Sequence, residues 1–501
     1  MTVDGVSEGR RVPIGTALGR VGLALAIAFG ALAAGAGYWQ VFRSADLSRS
    51  PDDAAVIAAS RHVVRGVITD RNGRLLAWNA RDANGELYRV YASPALAEVI
   101  GYSSRLWGSA GLERAWDAEL SGAASTDPLS DLTRKFRSDP ADPEALQTTL
   151  VLQLQEAAVR ILGRNRGAVV MLDPRTGEVL ALASTPTFDA SALANPETAA
   201  DTFPALRADP ALPLLPRATQ GLYVPGSIFK IVTATAALST GAITAATTYP
   251  EQPAAERTGL LVGGFRVRDG HHAATDGKAL AFAEAVEVSC NIYFALTGLR
   301  AGGDALGQSA ASYGFGVPIP FDLPTVASQV TGGGGSFGGG FEDAVELANA
   351  AYGQGETLVT PLQMALVAAA VADGGTLMTP HLVTSATGRT GTTSISSSVW
   401  RRVMDPRVAA EIAAAMRLAV NGDLGRRFTA GARVSGITVA GKSGTAELDP
   451  GHTPHSWFIG FAPADDPQVA IAVLVEHGGL DVRASPLAGD LFRAWRAWAN
   501  A

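Results

Sequence analysis

The sequence predicts an α+β protein whose main domain has an antiparallel sheet of about five strands flanked by helices. Two strand patterns, Ala168–Leu172 and Val179–Ala183, come before a mainly helical stretch, and three more strand patterns follow it. A helical lobe is therefore expected to be inserted within the sheet domain. A transmembrane helix and a smaller domain are expected to precede it.

The composition predicts a folded chain of more than one domain. The 501 residues exceed one ordinary domain, and 47% of them are hydrophobic whereas 17% are charged, which is inconsistent with disorder. The net charge is −7, and no cluster of lysine and arginine is interleaved with aromatic residues, so we expect no nucleic-acid binding. Cys290 is the only cysteine, so no intrachain disulfide can form.

An apolar run near the N-terminus predicts a membrane anchor. Arg10, Arg11 and Arg20 precede Val21–Trp39, nineteen uncharged residues that would span about 28 Å as a helix, close to the thickness of a bilayer core. Arginines before the run favour a cytoplasmic segment 1–20 and a single-pass anchor 21–40. The alternative is a cleaved signal peptide. In both cases the bulk of the protein is expected outside the cytoplasm, and with the anchor it is expected at the cell membrane.

Two further regions are expected after the anchor. Residues 41–150 are predicted to form a non-catalytic domain, in which Arg65–Ala77 has the pattern of a strand, a tight Asn72-Gly73 turn and a second strand. Residues 151–501 are predicted to form the catalytic domain. Its remaining predicted elements are helices at Gln153–Leu162 and Pro486–Trp498, a mainly helical stretch that includes Ala279–Leu299, and strands at Ile437–Ala440, Trp457–Phe461 and Val469–Glu476.

One short motif places a nucleophile and a base on the same helix face. After the Pro225-Gly226 turn, Ser227 opens an apolar helix that is expected to run to Gly241, and Lys230 follows three positions after Ser227. Residues three apart on a helix can bring their side chains together. Backbone N–H groups at a helix start favour an emerging alkoxide, and an adjacent amine can accept its proton.

The use of lysine in this arginine-rich chain supports the motif. Lysine occurs only at Lys135, Lys230, Lys278 and Lys442. Arginine cannot give up its proton at a workable pH, so a base at position 230 has to be lysine.

Two further motifs follow, and together the three resemble a known family. They are Ser289-Cys290-Asn291 and Lys442-Ser443-Gly444-Thr445. In this order the set resembles the Ser-x-x-Lys, Ser-x-Asn and Lys-Ser/Thr-Gly motifs of the penicilloyl-serine transferases. The segments that also resemble class B penicillin-binding proteins are Arg166–Ala181, Gly353–Glu356, Thr360–Met364 and Trp457–Pro463.

The resemblance implies the penicilloyl-serine transferase fold and a role for each motif. Ser227 would attack the penultimate D-Ala carbonyl of a peptidoglycan stem peptide, and Lys230 would accept its proton. Ser289 would relay the proton to the leaving amine, and Asn291 would bind the substrate's peptide amide. The cation of Lys442 is expected to supply much of the lowering of the Lys230 pKa, with partial burial adding the rest.

The last motif is expected to hold the substrate. Strand alternation predicts that Lys442 and Gly444 face the cleft, where the missing side chain of Gly444 leaves room for the substrate backbone. The resemblance implies that the hydroxyl of Ser443 or Thr445 binds the substrate carboxylate, although strict alternation would turn both away. The backbone N–H groups of Ser227 and Thr445 would form the oxyanion hole.

The predicted function is a peptidoglycan D,D-transpeptidase that cross-links stem peptides through a Ser227 acyl-enzyme and is acylated by β-lactams. The implied partners are stem peptides, β-lactams, the membrane, and a polytopic glycan polymerase of the elongation or division machinery. The alternatives are a D,D-carboxypeptidase or β-lactamase of the same fold, and a non-enzymatic β-lactam sensor or scaffold. A lactamase needs a base that activates water, and Glu346 with Asn349 only weakly resembles such a pair.

Other chemistries fit the sequence less well. The G-x-S-x-G sequence Gly334–Gly338 lies in a glycine run, whereas a hydrolase nucleophile elbow needs a strand before it and a helix after it. His452 and His455 lie in a Gly/Pro loop with no third ligand at metal spacing. The remaining histidines, which form no convincing set, are His62, His271, His272, His381 and His477. Neither a metal site nor a cofactor is predicted.

Overall fold

Two β-sheets organise the part of the chain that the structure describes. The structure is a computed structural model, and it describes residues 64–123, 142–269, 272, 275, 277–336, 338–448 and 451–501. The predicted segments 1–20 and 21–40 lie outside the described residues, as does part of the predicted domain 41–150. Within the described ranges, none of the helices combines the length and the hydropathy needed to cross a bilayer.

The regular elements of the described ranges are numbered here in chain order. The strands are β1 (Ile68–Thr69), β2 (Leu75–Arg81), β3 (Leu87–Tyr91), β4 (Ser103–Ser104), β5 (Gly108–Ser109), β6 (Ala145–Thr148), β7 (Gly167–Leu172), β8 (Val179–Thr185), β9 (Leu260–Val262), β10 (Phe265–Val267), β11 (Thr376–Met378), β12 (Val383–Gly388), β13 (Gly391–Ser394), β14 (Val399–Arg402), β15 (Ala440–Ala446), β16 (His455–Ala462) and β17 (Val469–Val475). The helices are α1 (Gly111–Ala115), α2 (Asp117–Ser121), α3 (Leu152–Leu162), α4 (Ala190–Ala194), α5 (Ala199–Ala208), α6 (Arg217–Gln220), α7 (Lys230–Ser239), α8 (Gln252–Thr258), α9 (Phe282–Val288), α10 (Asn291–Ala301), α11 (Gly303–Ser312), α12 (Ala344–Ala351), α13 (Pro361–Ala372), α14 (Pro406–Asn421), α15 (Arg426–Thr429) and α16 (Ala484–Ala499). Short 3₁₀ turns lie at Pro94–Leu96, Gly226–Phe229 and Ala430–Ala432.

The predicted five-stranded antiparallel sheet is confirmed. Its order is β15-β16-β17-β7-β8, and every neighbouring pair is antiparallel. Two of its strands precede Ser227 in the chain and three follow it, as expected. The strand predicted at Ile437–Ala440 instead begins at Ala440 and runs to Ala446, so it carries the whole of the third motif.

Helices cover both faces of this sheet. Along β7, Val169 and Met171 belong to a core that includes Leu491 of the C-terminal helix α16, whereas Val170 belongs to the core on the other face. That second core contains Met364 of the buried helix α13. Because both faces are covered, strands such as β7 and β17 are apolar at almost every position instead of alternating.

The second sheet joins distant parts of the chain. Its order is β13-β12-β6-β1-β2-β3, so β6, from before residue 150, pairs with β12, from after residue 380. The predicted turn between its first two strands is confirmed, with Gly73 at φ +80°. The domain boundary at residue 150 stays a prediction, and this sheet crosses it.

Candidate active site

The turn that carries Ser227 is held in place by close backbone contacts. Ser227 lies in the 3₁₀ turn Gly226–Phe229, which leads directly into α7. Gly226 has φ +57°, and a Cβ on it would lie 2.4 Å from the carbonyl oxygen of Thr445. A Cβ on Gly353 would lie 2.0 Å from the carbonyl oxygen of Gly226. Glycine is therefore required at both positions, which explains Gly353 in the segment Gly353–Glu356.

Ser289 ends one helix, and Cys290 starts the next. Helix α9 ends at Val288, and Ser289 has the left-handed conformation with φ 63° and ψ 38°. Cys290 is the N-cap of α10, where its Sγ accepts a hydrogen bond of 3.3 Å from Tyr293 N. The mainly helical stretch predicted to include Ala279–Leu299 is therefore confirmed, and it consists of two helices that meet at the second motif.

This break brings the second motif to the amine of Lys230. Lys230 Nζ lies 3.0 Å from Ser227 Oγ, 2.7 Å from Asn291 Oδ1, and 2.5 Å and 3.3 Å from Ser289 O and Oγ. The predicted proximity of Ser227 and Lys230 is thus confirmed. The Ser289 carbonyl and the Asn291 amide oxygen can only accept. They can take both N–H groups of a neutral amine, which leaves its lone pair for the Ser227 hydroxyl proton.

Lys442 approaches the same serine from the other side. Its side chain is buried, and its Nζ donates to Ser289 Oγ over 2.7 Å and to Ser443 O over 2.9 Å. Ser289 Oγ therefore lies between two buried amines, those of Lys230 and Lys442.

Burial dominates the protonation of both lysines. It lowers the pKa of Lys230 from 10.5 to about 8, while the carboxylate of Asp269 opposes this by raising the pKa. Burial also lowers the pKa of Lys442 well below its ordinary value, and the charge of Lys230 lowers that pKa further. The prediction that Lys442 is a main cause of the lowered Lys230 pKa is wrong, because burial is the largest cause. At pH 7, roughly a tenth of the Lys230 side chains are then neutral, which is about 300 times the neutral fraction of an ordinary lysine.

The strand of the third motif presents the opposite face from the one predicted. Ser443 and Thr445 line a cleft of ≈1270 Å³ together with Ser227. Lys442 and Gly444 are not among the residues that line it, although Lys442 Nζ reaches Ser289 Oγ, and a Cβ on Gly444 would lie 2.9 Å from the carbonyl oxygen of Pro225. The prediction that Gly444 leaves room for substrate is therefore wrong: it leaves room for the nucleophile turn. The side chains alternate as expected, but Ser443 and Thr445 line the cleft instead of Lys442 and Gly444.

The same cleft contains a residue that the sequence did not indicate. Asp269 borders it in the loop after β10, and its Oδ2 accepts a hydrogen bond of 3.2 Å from Ile292 N, at the start of α10. Asp269 lies 20 residues before Ser289 in an irregular segment, so neither motif spacing nor periodicity connects it to the site. Other cleft residues include Asn291, Asn349, Tyr352 and Glu447.

Comparison with known families decides which one the site belongs to. Residues 167–495 match the model of the penicillin binding protein transpeptidase domain, which is more than half of the chain. The chain belongs to the penicillin-binding protein transpeptidase family. Residues 65–142 match the penicillin binding protein A dimerisation domain.

Individual penicillin-binding proteins are similar to this chain over almost its whole length. The peptidoglycan D,D-transpeptidase PbpA of Mycolicibacterium smegmatis is 37% identical over 499 residues, covering 96% of this chain and 98% of the relative. PbpA of Mycobacterium tuberculosis is 36% identical over 477 residues, covering 91% of this chain and 93% of the relative. The structure of penicillin-binding protein A from M. tuberculosis as an imipenem acyl-enzyme complex matches with a TM-score of 0.76 at 33% identity, covering 86% of this chain and 98% of that chain. The resemblance to penicillin-binding proteins is confirmed.

Proposed function

We propose that the chain is a peptidoglycan D,D-transpeptidase that forms an acyl-enzyme on Ser227 and is acylated by β-lactams. The observation that carries the proposal is the 3.0 Å contact between Ser227 Oγ and the Nζ of Lys230, a lysine whose pKa is lowered to about 8. The names of the PbpA relatives and the acyl-enzyme structure of the M. tuberculosis protein support it.

In the acylation step, Ser227 Oγ bonds to the carbonyl carbon of the penultimate D-Ala while its proton moves to Lys230 Nζ. The carbonyl oxygen takes the negative charge, which the backbone N–H groups of Ser227 and Thr445 stabilise. When the intermediate collapses, the bond to the terminal D-Ala breaks, and the leaving amine takes a proton from Ser289 Oγ. Lys230 returns a proton to Ser289 over 3.3 Å, while Lys442 holds the same hydroxyl at 2.7 Å.

In the second step, an amine of another stem peptide attacks the ester carbonyl and gives its proton to Lys230. The bond to Ser227 Oγ breaks, the serine is reprotonated, and a cross-link remains. A β-lactam would acylate Ser227 in the same way, but its leaving nitrogen stays attached to the acyl group and obstructs the second amine.

The cleft offers groups that fit the rest of the substrate. The hydroxyls of Ser443 and Thr445 line it and are suited to a carboxylate. Asn291 Nδ2 donates to Arg268 O over 3.2 Å, and its second N–H remains for the substrate's peptide carbonyl.

The pair of residues that the sequence suggested for a β-lactamase is not assembled in this cleft. Glu346 is absent from the residues that line the described cleft. Its carboxylate instead accepts hydrogen bonds from Glu342 N at 2.6 Å and Gly332 N at 3.3 Å. Asn349 lines the cleft without Glu346, and the carboxylates that line it are those of Asp269 and Glu447.

A fluorescent penicillin and mass spectrometry test the proposal. We expect a lasting adduct on the peptide that contains Ser227, no adduct in Ser227→Ala, and at least a 100-fold slower reaction in Lys230→Ala. Ser239→Ala, an exposed serine at the end of the same helix, is the control and should react as wild type. An adduct that is released within seconds would favour a β-lactamase, and an adduct on another residue would overturn the proposal.

A stem-peptide assay separates the transpeptidase from a carboxypeptidase. With a donor peptide that ends in D-Ala-D-Ala and a second peptide carrying a free amine, we expect a cross-linked dimer and one released D-Ala per bond. Release of D-Ala without any dimer, at every acceptor concentration, would favour the carboxypeptidase.

We further propose that residues 21–40 anchor the protein in the membrane, with the catalytic domain outside the cytoplasm. The uncharged run Val21–Trp39 and the arginines before it support this. The full chain should sediment with membranes and be cleaved by protease added to spheroplasts, whereas a variant without residues 1–40 should be soluble. Protection of the full chain from the protease would contradict the orientation.

A transpeptidase needs glycan strands, and we propose that a polytopic glycan polymerase of the elongation or division machinery supplies them. Co-purification of the full chain with such a polymerase from solubilised membranes is expected. Recovery of the chain without a polymerase after mild cross-linking would count against this partner.

A further inference from the structure

A second cavity, of ≈650 Å³, is separate from the catalytic cleft. It is bounded by the segment around Glu98, by α1, by the end of β8, by α5 and α6, and by the loop 321–324. Among the described residues, none lines both this cavity and the cleft of Ser227. The proposed acyl transfer therefore makes no use of this cavity.

Aromatic rings form part of the cavity wall. Four of the lining residues are Tyr102, Phe188, Phe203 and Phe321. The ring of Tyr102 packs edge-on against Phe188 and Phe203, with centroids 6.4 Å and 6.5 Å apart, and Trp107 stacks on Phe203 at 4.6 Å. Aromatic rings bury apolar groups well, and their faces attract cations. An apolar ligand that carries a positive charge therefore suits this wall better than an anion does.

Glu98 adds a carboxylate to the wall that is only half satisfied. Its Oε1 accepts a hydrogen bond of 3.2 Å from Ala218 N, whereas its Oε2 is buried without a hydrogen-bond partner. Burial raises the pKa of this carboxyl to about 7, although hydrogen bonds from Ser184 and Ala218 lower it. A buried carboxylate is costly unless a cation or a donor accompanies it. The unpartnered oxygen is thus the place where a cationic ligand gains most.

The other charged groups near Glu98 leave this need unmet. Arg217 of α6 lowers the pKa of Glu98, but its guanidinium donates to Glu476 Oε1 over 2.8 Å and to two backbone carbonyl oxygens. Arg114 of α1 lines the cavity but is exposed, so solvent screens its charge. Asp322, the second carboxylate in the lining, accepts an indole N–H and a backbone N–H. The cavity therefore favours positive charge at Glu98.

We propose that this cavity binds a small organic cation, with an ammonium group at Glu98 and an apolar body against the aromatic wall. The terminal torsion of a glutamate is soft, so the carboxylate can turn an oxygen toward the ligand without a shift of the backbone. The ammonium group would gain a charge-assisted hydrogen bond and attraction to the ring faces. The alternative is a neutral Glu98 carboxyl in a cavity that takes up no ligand.

Three probes with the same ring and different head groups test the proposal. Tryptamine carries an ammonium group, tryptophol a hydroxyl and indole-3-propionate a carboxylate. In calorimetric titrations of the full chain in detergent at about pH 8, tryptamine should bind at about one site per chain, roughly 10-fold more tightly than tryptophol. Indole-3-propionate should bind more weakly than both. Equal affinities for tryptamine and tryptophol, or no binding of tryptamine, would overturn the proposal.

Two variants of the wall assign the charge preference to Glu98. Glu98→Gln should weaken tryptamine binding roughly 10-fold and leave tryptophol binding unchanged, and it should fold because it removes a poorly satisfied charge. The exposed Glu197→Gln is the control and should bind as wild type. Arg114→Gln removes a like charge, so it should bind tryptamine at least as tightly as wild type. Weaker binding in Arg114→Gln would show that the cavity selects an anion.

Acylated protein separates this cavity from the cleft. Wild type that carries penicillin on Ser227 should bind tryptamine as the free protein does, and so should Ser227→Ala. Loss of binding in either would place the amine in the cleft and overturn the proposal. Because Ser227→Ala needs no acylation, this arm stays informative if the proposed transpeptidase activity fails.

The pH dependence of binding gives a further readout. Only the ionised carboxylate attracts the ammonium group, and the pKa of Glu98 is about 7. The affinity for tryptamine should therefore level off above about pH 8 and fall about tenfold per pH unit below about pH 6, while the amine itself stays charged. Glu98→Gln should lose this dependence. The same pH dependence in Glu98→Gln and wild type would show that another group attracts the amine.

Discussion

The backbone N–H of Gly226 donates to the carbonyl oxygen of Gly353 over 2.8 Å. This bond joins the nucleophile turn to the segment after α12, and it leaves no room for a side chain between the two backbones. The position of Ser227 therefore depends on a residue more than 120 positions later in the chain.

Gly353→Ala should displace the nucleophile. Its Cβ would lie 2.0 Å from Gly226 O and 2.9 Å from Phe229 Cβ, at φ +84°. We expect a loss of roughly 2–4 kcal/mol in the free energy of unfolding and acylation slowed about 100-fold, as measured by urea denaturation and fluorescent penicillin. The control is Gly241→Ala, at φ +70° with no atom within 4 Å of the added Cβ, which should lose about 1–2 kcal/mol and keep the acylation rate. Equal rates for the two variants would contradict the contact.

The left-handed conformation of Ser289 predicts different stabilities for two variants that both lack its hydroxyl. At φ 63°, Ser289→Gly relieves backbone strain, whereas Ser289→Ala keeps it. Glycine should therefore be more stable than alanine by about 1 kcal/mol in thermal denaturation, while both slow acylation about 100-fold. An alanine variant more stable than the glycine variant would argue against this conformation.

The rate of acylation should depend on the protonation of Lys230. Its pKa is lowered to about 8, and only the neutral amine can accept the Ser227 proton. The rate constant should therefore rise about tenfold per pH unit well below pH 8 and level off above it. Lys278→Gln, which alters a lysine whose side chain is 64% exposed, should leave this profile unchanged. A midpoint near the ordinary lysine value would show that Lys230 is not the group that titrates.

Glu98 should destabilise the protein at alkaline pH. Burial raises its pKa to about 7, and its Oε2 is buried without a hydrogen-bond partner. Because the folded pKa lies above the unfolded value of 4.5, stability is lost as pH rises through this interval.

Glu98→Gln should therefore be more stable than wild type at pH 8, by on the order of 2 kcal/mol, and the difference should shrink at pH 5. Chemical denaturation at the two pH values measures this, with the exposed Glu197→Gln as the control. A stabilisation that is the same at both pH values would show that the charge is not its cause.

The sequence predicted those features that depend on local patterns. Continuous apolar runs and a tight turn defined β7 and β8, and the spacing of Ser227 and Lys230 predicted their contact. The left-handed conformation of Ser289 was not predictable, because a left-handed serine has no local sequence signature. The pairing of Leu146 with Ala386 was also inaccessible, since it joins strands about 240 residues apart.

Which residues of β15 face the cleft could not be predicted from the sequence, for a different reason. Alternation correctly placed Lys442 and Gly444 on one face, but which face meets the cleft depends on where the Ser227 turn packs. That turn packs against Gly444, so the cleft lies on the side of Ser443 and Thr445. Only tertiary structure contains this information.

The scarcity of lysine gives the protein a practical property. Lys230 and Lys442 are buried, and Lys278 is the accessible lysine among those in the described ranges. An amine-reactive dye applied to the native protein should therefore label the described part of the chain only at Lys278, ten residues before α9 ends at Val288. Lys278 pairs with Glu284 of α9, so fluorescence from that position would report on movements at the start of this helix while leaving the amines of Lys230 and Lys442 unmodified.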